Sequence, residues 1–256
     1  MITGIGLIAR NEFSNIVRNP VIIIIAGFLT ALIIINALGC HYLLPLNKSF
    51  GFNSVFLQGW MNIATPTMEI LTILSLCIGI VSVARERSKN TLRMLIVKPV
   101  YRRDIITGKL MGIAVFLVLF NILIGFLNIS AILISYGGPD SITEIIEIGI
   151  STVIISIYCS LTSGIMILFA LVFKGLAESL IFAISYMYLT WYNTYPEFMT
   201  VICNFFPRYL CGSATIGSAL DGQYDVGSVL MFSALLLAEA IIIFLADCAV
   251  FNFEEM

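Results

Sequence analysis

The chain has 256 residues, of which 60% are hydrophobic and only 11% are charged, and its formal net charge is -2. Soluble domains are about 45–50% apolar and about 25% charged, so this composition excludes an ordinary water-soluble fold. A slightly acidic chain also argues against a nucleic-acid-binding protein, which is usually basic. We therefore expect an all-α integral membrane protein with a single transmembrane domain over residues 1–256 and no nucleic-acid partner.

The first predicted element is an amphipathic helix over residues 1–19. Its apolar side carries Ile5, Ala9, Phe13, Ile16 and Val17. Its polar side carries Arg10, Asn11, Ser14 and Arg18. An apolar stripe beside basic residues is typical of a helix that lies in the membrane interface, and this is our interpretation. The alternative is a simple lead-in to the first span.

Six apolar stretches follow, each a candidate span, because about 20 apolar residues cross a bilayer. They cover residues 21–39, 66–84, 108–136, 145–173, 176–194 and 226–250. None alternates apolar and polar residues as barrel strands do. We expect six transmembrane helices, since a helix satisfies its own backbone polar groups in lipid. Gly108 and Gly112, four residues apart, would allow a close contact between helices.

Lysine and arginine set the expected orientation. With the N-terminus inside, eleven of these residues fall on inner segments, and only Lys48 and Arg208 fall outside. Short cytoplasmic loops carry the excess of positive charge. The sequence therefore predicts a multi-pass protein of the plasma membrane with both termini in the cytoplasm.

Eight of the thirteen basic residues lie in residues 84–109, ARERSKNTLRMLIVKPVYRRDIITGK. Residues 85–107 form the predicted cytoplasmic loop between spans two and three. Thr91 can cap a short helix over residues 92–97 through its hydroxyl, and Pro99 can end it because proline lacks the N–H donor. Such a helix would dock into a cytoplasmic partner. The alternative is a basic loop that only fixes the topology.

This loop resembles the one between the second and third spans of ABC-2 type permeases, the membrane subunits of ABC exporters. The matching residues are Ala84, Arg85, Glu86, Thr91, Leu92, Leu95, Pro99, Val100, Arg102, Ile105, Gly108 and Lys109. Asn90, Arg93 and Tyr101 depart from the family's usual Gly, Glu and frequent Ser. The N-terminal LIARNEFSNIVRNP is also similar to the family's first helix. The motifs cover residues 1–110.

The resemblance implies a permease that pairs with a second permease and binds a separate ABC-type ATPase. It implies a coupling helix with the contact residues Glu86, Thr91, Leu92, Leu95 and Pro99. The chain lacks a GxxxxGK[ST] phosphate loop, so ATP and magnesium would be held by the partner, with no cofactor and no enzyme activity in this chain. We expect Arg102, Arg103 and Lys109 to anchor the loop to lipid headgroups.

The second long connection, residues 195–225, is predicted to lie outside the cell. It fits two short apolar helices split by Pro207, which are too short to cross and so are re-entrant or surface helices. The resemblance implies helices that dip in from the outside. Cys203 and Cys211 share this segment, and the sequence allows both a disulfide between them and two free thiols.

Four acidic residues fall inside predicted spans. They are Glu69, Glu178, Glu239 and Asp247. A charge there is costly, and a functional role is the default hypothesis. For Glu239, a structural hydrogen bond and a place along a transport path both stay open. We expect Glu178 to reach Lys174 and Asp247 to reach the inner membrane surface, both in structural roles.

Two other functions are alternatives to the exporter permease. An ion- or proton-coupled carrier could relay protons through Glu69 and Glu239. An intramembrane enzyme is disfavoured, because His41, at the membrane edge, is the only histidine. Metal-dependent enzymes of this kind need paired His or acidic ligands, and a serine enzyme needs a His base. The sequence does not specify the transported substrate.

Overall fold

The computed structural model describes residues 2–43, 55–88, 102–136, 138–139, 141–173, 175–191, 206–212, 215 and 226–253. The regular elements that these residues form are helices. In chain order they are α1 (Ile2–Val17), α2 (Pro20–Leu43), α3 (Val55–Ser88), α4 (Arg102–Tyr136), α5 (Ile142–Val172), α6 (Leu176–Trp191), α7 (Pro207–Gly212) and α8 (Val226–Phe253).

Five of these helices are long and apolar enough to cross a membrane. Their candidate spans are Pro20–Gly39 in α2, Asn62–Val83 in α3, Asp104–Ser135 in α4, Ile142–Val172 in α5 and Val226–Phe251 in α8. The apolar part of α6, Leu176–Tyr188, is shorter. The predicted α-helical membrane protein is therefore confirmed, and the sixth span stays a prediction.

A short turn separates α1 from α2. The Val21 backbone N–H donates to Oδ1 of Asn19 over 3.1 Å. Asn19 thus caps the start of α2, and Pro20 occupies the first helical position, where its missing N–H has no helical partner to lose. A separate helix therefore precedes the first span, where the amphipathic pattern predicts one.

Two helices extend beyond the spans predicted from apolar content. The sequence begins span two at Pro66, but α3 runs through this proline from Val55 to Ser88. A proline inside a membrane helix is tolerated when neighbouring helices and Ser or Thr side chains compensate for the lost hydrogen bond. The third span is predicted from residue 108, but α4 already begins at Arg102. The first turn of α4 contains Arg102, Arg103 and Asp104, so apolar content alone does not identify it as part of the helix.

The core of the bundle lies between α3, α4 and α5. Helix α5 packs against both of the others and also against α6, α7 and α8. The α3–α5 contact is close: a Cβ on Gly79 would lie 2.5 Å from the backbone oxygen of Ser163. The Ser75 and Thr162 hydroxyls are hydrogen-bonded at 2.7 Å across the same contact. Small residues and hydroxyl pairs are how membrane helices associate without a hydrophobic driving force.

Candidate functional site

The predicted coupling segment connects the end of α3 to the start of α4. Four of its five predicted contact residues lie outside the described residues: Thr91, Leu92, Leu95 and Pro99. Glu86 lies on α3, and Arg102 and Arg103 lie on α4, but their side chains are also outside the description. The coupling and lipid roles of these residues stay predictions. The structure describes the two helices from which the segment leaves.

Lys109 joins three helices just beyond this segment. Its side-chain ammonium lies 3.4 Å from Oε2 of Glu12 on α1 and 3.0 Å from the backbone oxygen of Ser82 on α3. The residue is 2% exposed. A buried charge is retained when it is paired and hydrogen-bonded, and both conditions hold here. We call Glu12, Ser82 and Lys109 the Lys109 clamp.

The expected lipid contact of Lys109 was wrong. Its ammonium faces the carboxylate of Glu12, because α1 packs over the first turns of α4. The sequence places Lys109 correctly at the edge of an apolar run. It contains no local signal that links a residue on α1 to one on α4.

Two glycines allow α1 to approach α4. A Cβ on Gly108 would lie 2.8 Å from Cβ of Ile8, and one on Gly112 would lie 2.6 Å from the backbone oxygen of Ala9. The Phe13 ring then packs edge-on against Phe116, with centroids 6.2 Å apart. The GxxxG spacing thus forms a contact between helices, as small residues commonly do in membranes. Part of the apolar side of α1 is used to contact α4.

The middle of α3 carries a second ion pair, at Glu69. The Arg208 guanidinium lies 3.1 Å from Oε1 of Glu69, which joins α7 to α3. Leu210 and Cys211 of α7 are buried, and Sγ of Cys211 lies 4.0 Å from Sδ of Met68. A short helix after Pro207 therefore inserts between longer helices, in keeping with a re-entrant segment. Cys211 is a free thiol, and Cys203 and the other predicted short helix lie outside the described residues.

The three remaining acidic residues differ in their surroundings. Glu178 is exposed in the first turn of α6, where a carboxylate interacts favourably with the helix dipole. Lys174, its expected partner, lies outside the described residues. Glu239 is half-buried on α8, and its Oε2 has no hydrogen-bond partner among the residues that the structure describes.

Asp247 is buried within the helix bundle, and its expected reach to the inner membrane surface stays a prediction. It is 0% exposed, and neither carboxyl oxygen has a hydrogen-bond partner within the described part of the chain. Its Oδ2 would lie 3.7 Å from a Cβ on Gly164 of α5. Because α8 packs against both α4 and α5, this side chain is enclosed by helices.

Sequence reasoning missed two further polar residues, Asn121 and Asn128 on α4. Both are buried in the core, 3% exposed each. Their spacing of seven residues places both on one face of a helix, so the pattern was readable. An amide pair inside a predicted span was the signal.

Long apolar helices, joined in the core by hydrogen-bonded hydroxyl groups, define a polytopic α-helical membrane protein. The N-terminal helix α1 is attached to this bundle by the buried ion pair of Glu12 and Lys109. The chain matches the family described as "ABC-2 family transporter protein" over residues 7–205, and it belongs to this family. The predicted ABC-2 type permease is thereby confirmed, and the match extends well beyond the motifs in residues 1–110. Among curated proteins, none matches the chain.

Proposed function

We propose that this ABC-2 family permease is the membrane subunit of an exporter in the plasma membrane, driven by a separate ABC-type ATPase. It works as a dimer with a second permease. The absence of a phosphate-loop motif from the sequence supports a separate ATPase. The segment that joins α3 to α4 docks on the ATPase, and the proposed contact residues are Glu86, Thr91, Leu92, Leu95 and Pro99.

The proposed topology has six spans, with α6 and the residues after it forming the fifth. Eleven basic residues on one side and two on the other support cytoplasmic termini. In this orientation, the Lys109 clamp lies near the cytoplasmic face and α7 dips in from outside.

The Lys109 clamp is the observation that carries this proposal. Residues 89–101 leave from the ends of α3 and α4, and the clamp joins these two helices to each other and to α1. A force applied to the segment by an ATPase would therefore move α1, α3 and α4 together. A loop that only fixed topology would not need this buried connection.

The proposal is tested with Leu95→Asp, which puts a charge into the expected apolar contact. An unpaired charge there costs several kcal/mol, enough to weaken a micromolar contact by more than about a hundredfold. We expect loss of ATPase co-purification and of substrate-stimulated ATP hydrolysis, with normal membrane insertion. Arg103→Ala is the control, since its expected contact is lipid. Full retention of the ATPase and of coupling in Leu95→Asp would reduce the segment to a topology signal.

A proton- or ion-coupled carrier is the second candidate. Asp247 and Glu239 favour it, because both present buried carboxyl oxygens without a hydrogen-bond partner among the described residues. The Glu69 carboxylate is instead paired with Arg208. Purification of the native complex separates the two functions: an exporter permease brings down an ATPase, and a carrier working alone does not.

A further inference from the structure

A small, partly open cavity lies between α3, α4 and α5. Its volume is about 20 Å³, and it is lined mainly by apolar side chains, with polar groups on each of the three helices. The polar lining residues are Thr67, Asn121, Asn128 and Thr152, and the lining also includes Trp60 and Met68, whose side chains react readily with hydroxyl radicals. A space of about 10–15 Å³ already holds one water molecule, so volume permits a small polar ligand.

Each of the two asparagine amides on this cavity has at least one buried polar atom without a hydrogen-bond partner among the described residues. Both polar atoms of the Asn121 amide and Oδ1 of Asn128 are buried without a hydrogen bond to any described residue. The Cys159 thiol lies beside the Asn121 amide, but a thiol is a weak hydrogen-bonding group. Leaving an amide unsatisfied in apolar surroundings is destabilising, because its hydrogen bonds to water are lost and not replaced. A ligand that both donates and accepts would remove that cost.

Two threonines supply further acceptors. The Thr67 hydroxyl donates to the backbone oxygen of Ile63, and the Thr152 hydroxyl donates to that of Ile148. Each hydroxyl oxygen keeps lone pairs with which to accept a hydrogen bond. A buried water needs about two to four polar partners, and the amides and hydroxyls together provide that number.

We propose that this cavity is a hydration site, in which ordered water is hydrogen-bonded to the Asn121 and Asn128 amides. The water completes the hydrogen bonding of these two amides where α4 packs against α3 and α5. The packing of these three helices forms the core, and the ends of α3 and α4 hold the segment that joins them. The site is independent of the direction of transport and of any ATPase partner.

X-ray radiolytic labelling in H₂¹⁸O tests this proposal on the full chain in nanodiscs. Hydroxyl radicals formed from bound water label adjacent side chains, so Met68 and Trp60 report on the cavity. Met166 is the matched control, because it is a fully buried methionine of α5 that does not line the cavity. We expect Met68 to incorporate ¹⁸O several-fold faster than Met166.

The double variant Asn121→Leu/Asn128→Leu replaces both amides with apolar groups of the same branching, which cannot hydrogen-bond water. We expect its Met68 labelling to fall to the rate of Met166, with Met166 unchanged as the indicator of an intact fold. Equal labelling of Met68 and Met166 in the wild type would show a dry cavity and overturn the proposal. Undiminished Met68 labelling in a double variant whose Met166 stays protected would also overturn it, since bulk water would then be the source.

Discussion

Lys109 and Asp247 are both ionisable and both buried in the bundle, but their environments differ. Lys109 has a carboxylate and a backbone oxygen within hydrogen-bonding range. Asp247 has no hydrogen-bond partner in the described part of the chain. The first arrangement links helices, whereas the second leaves a carboxyl group for which a functional role is the default hypothesis.

Removing one member of the Lys109 clamp should be more harmful than removing both. Glu12→Leu leaves the Lys109 charge buried without its counter-charge, and breaking a buried pair in this way costs about 3–5 kcal/mol. Adding Lys109→Met should restore most of the stability, because an apolar replacement of a buried pair is often close to neutral. Thermal unfolding in detergent measures both effects.

The control for this pair is Arg10→Gln, on an exposed position of α1. Such surface changes usually alter stability by less than about 0.5 kcal/mol. If Glu12→Leu melts at the same temperature as Arg10→Gln, the ion pair does not stabilise the protein.

At the scale of elements, the sequence predicts α1 as a helix but does not identify what it contacts. An amphipathic pattern shows that one side is apolar, and lipid and protein satisfy that side equally well. The close approach of Ala9 to Gly112 shows that the apolar side of α1 contacts α4. The same limitation applies to α7: Pro207 was predicted to divide the segment, whereas the insertion of Cys211 beside Met68 depends on residues far apart in the chain.

Gly112→Ala should weaken the attachment of α1. The added Cβ would lie 2.6 Å from the backbone oxygen of Ala9, which cannot move without shifting the helix. Overpacking of this kind typically costs about 1–3 kcal/mol, and thermal unfolding in detergent measures it.

Gly4→Ala is the matched control on α1, since no atom lies within 4 Å of its added Cβ. There, alanine should stabilise the helix by about 0.5–1 kcal/mol. Equal changes in the two variants would show that α1 does not pack on α4 as described.

At the scale of the whole molecule, the helical architecture was predictable because the bilayer leaves few alternatives. Long apolar runs must form helices in lipid, and five of the six predicted spans coincide with helices of sufficient length. The stretch 176–194 was ambiguous, since α6 has a shorter apolar part. The ion-pair partners of Lys109 and Glu69 and the enclosure of Asp247 were not predictable, because they depend on which helices become neighbours.

The six-span topology predicts which positions are accessible from outside the cell. In a variant without native cysteines, a new cysteine at Gly51 or Gly222 should react with a membrane-impermeant maleimide. A cysteine at Ser88 or Glu255 should react only after permeabilisation. Labelling of Ser88 in intact cells would reverse the orientation and remove the proposed ATPase contact from the cytoplasm.

The Lys109 clamp also imposes an order on biosynthesis. Glu12 leaves the ribosome 97 residues before Lys109, so the nascent α1 has neither its counter-charge nor its glycine surface while α2 and α3 insert. During that interval its carboxylate must stay at the boundary between lipid and water. The N-terminal helix, although made first, is therefore among the parts that reach their final position only after α4 has been translated, and a chain arrested before residue 109 would present α1 undocked to quality-control proteases.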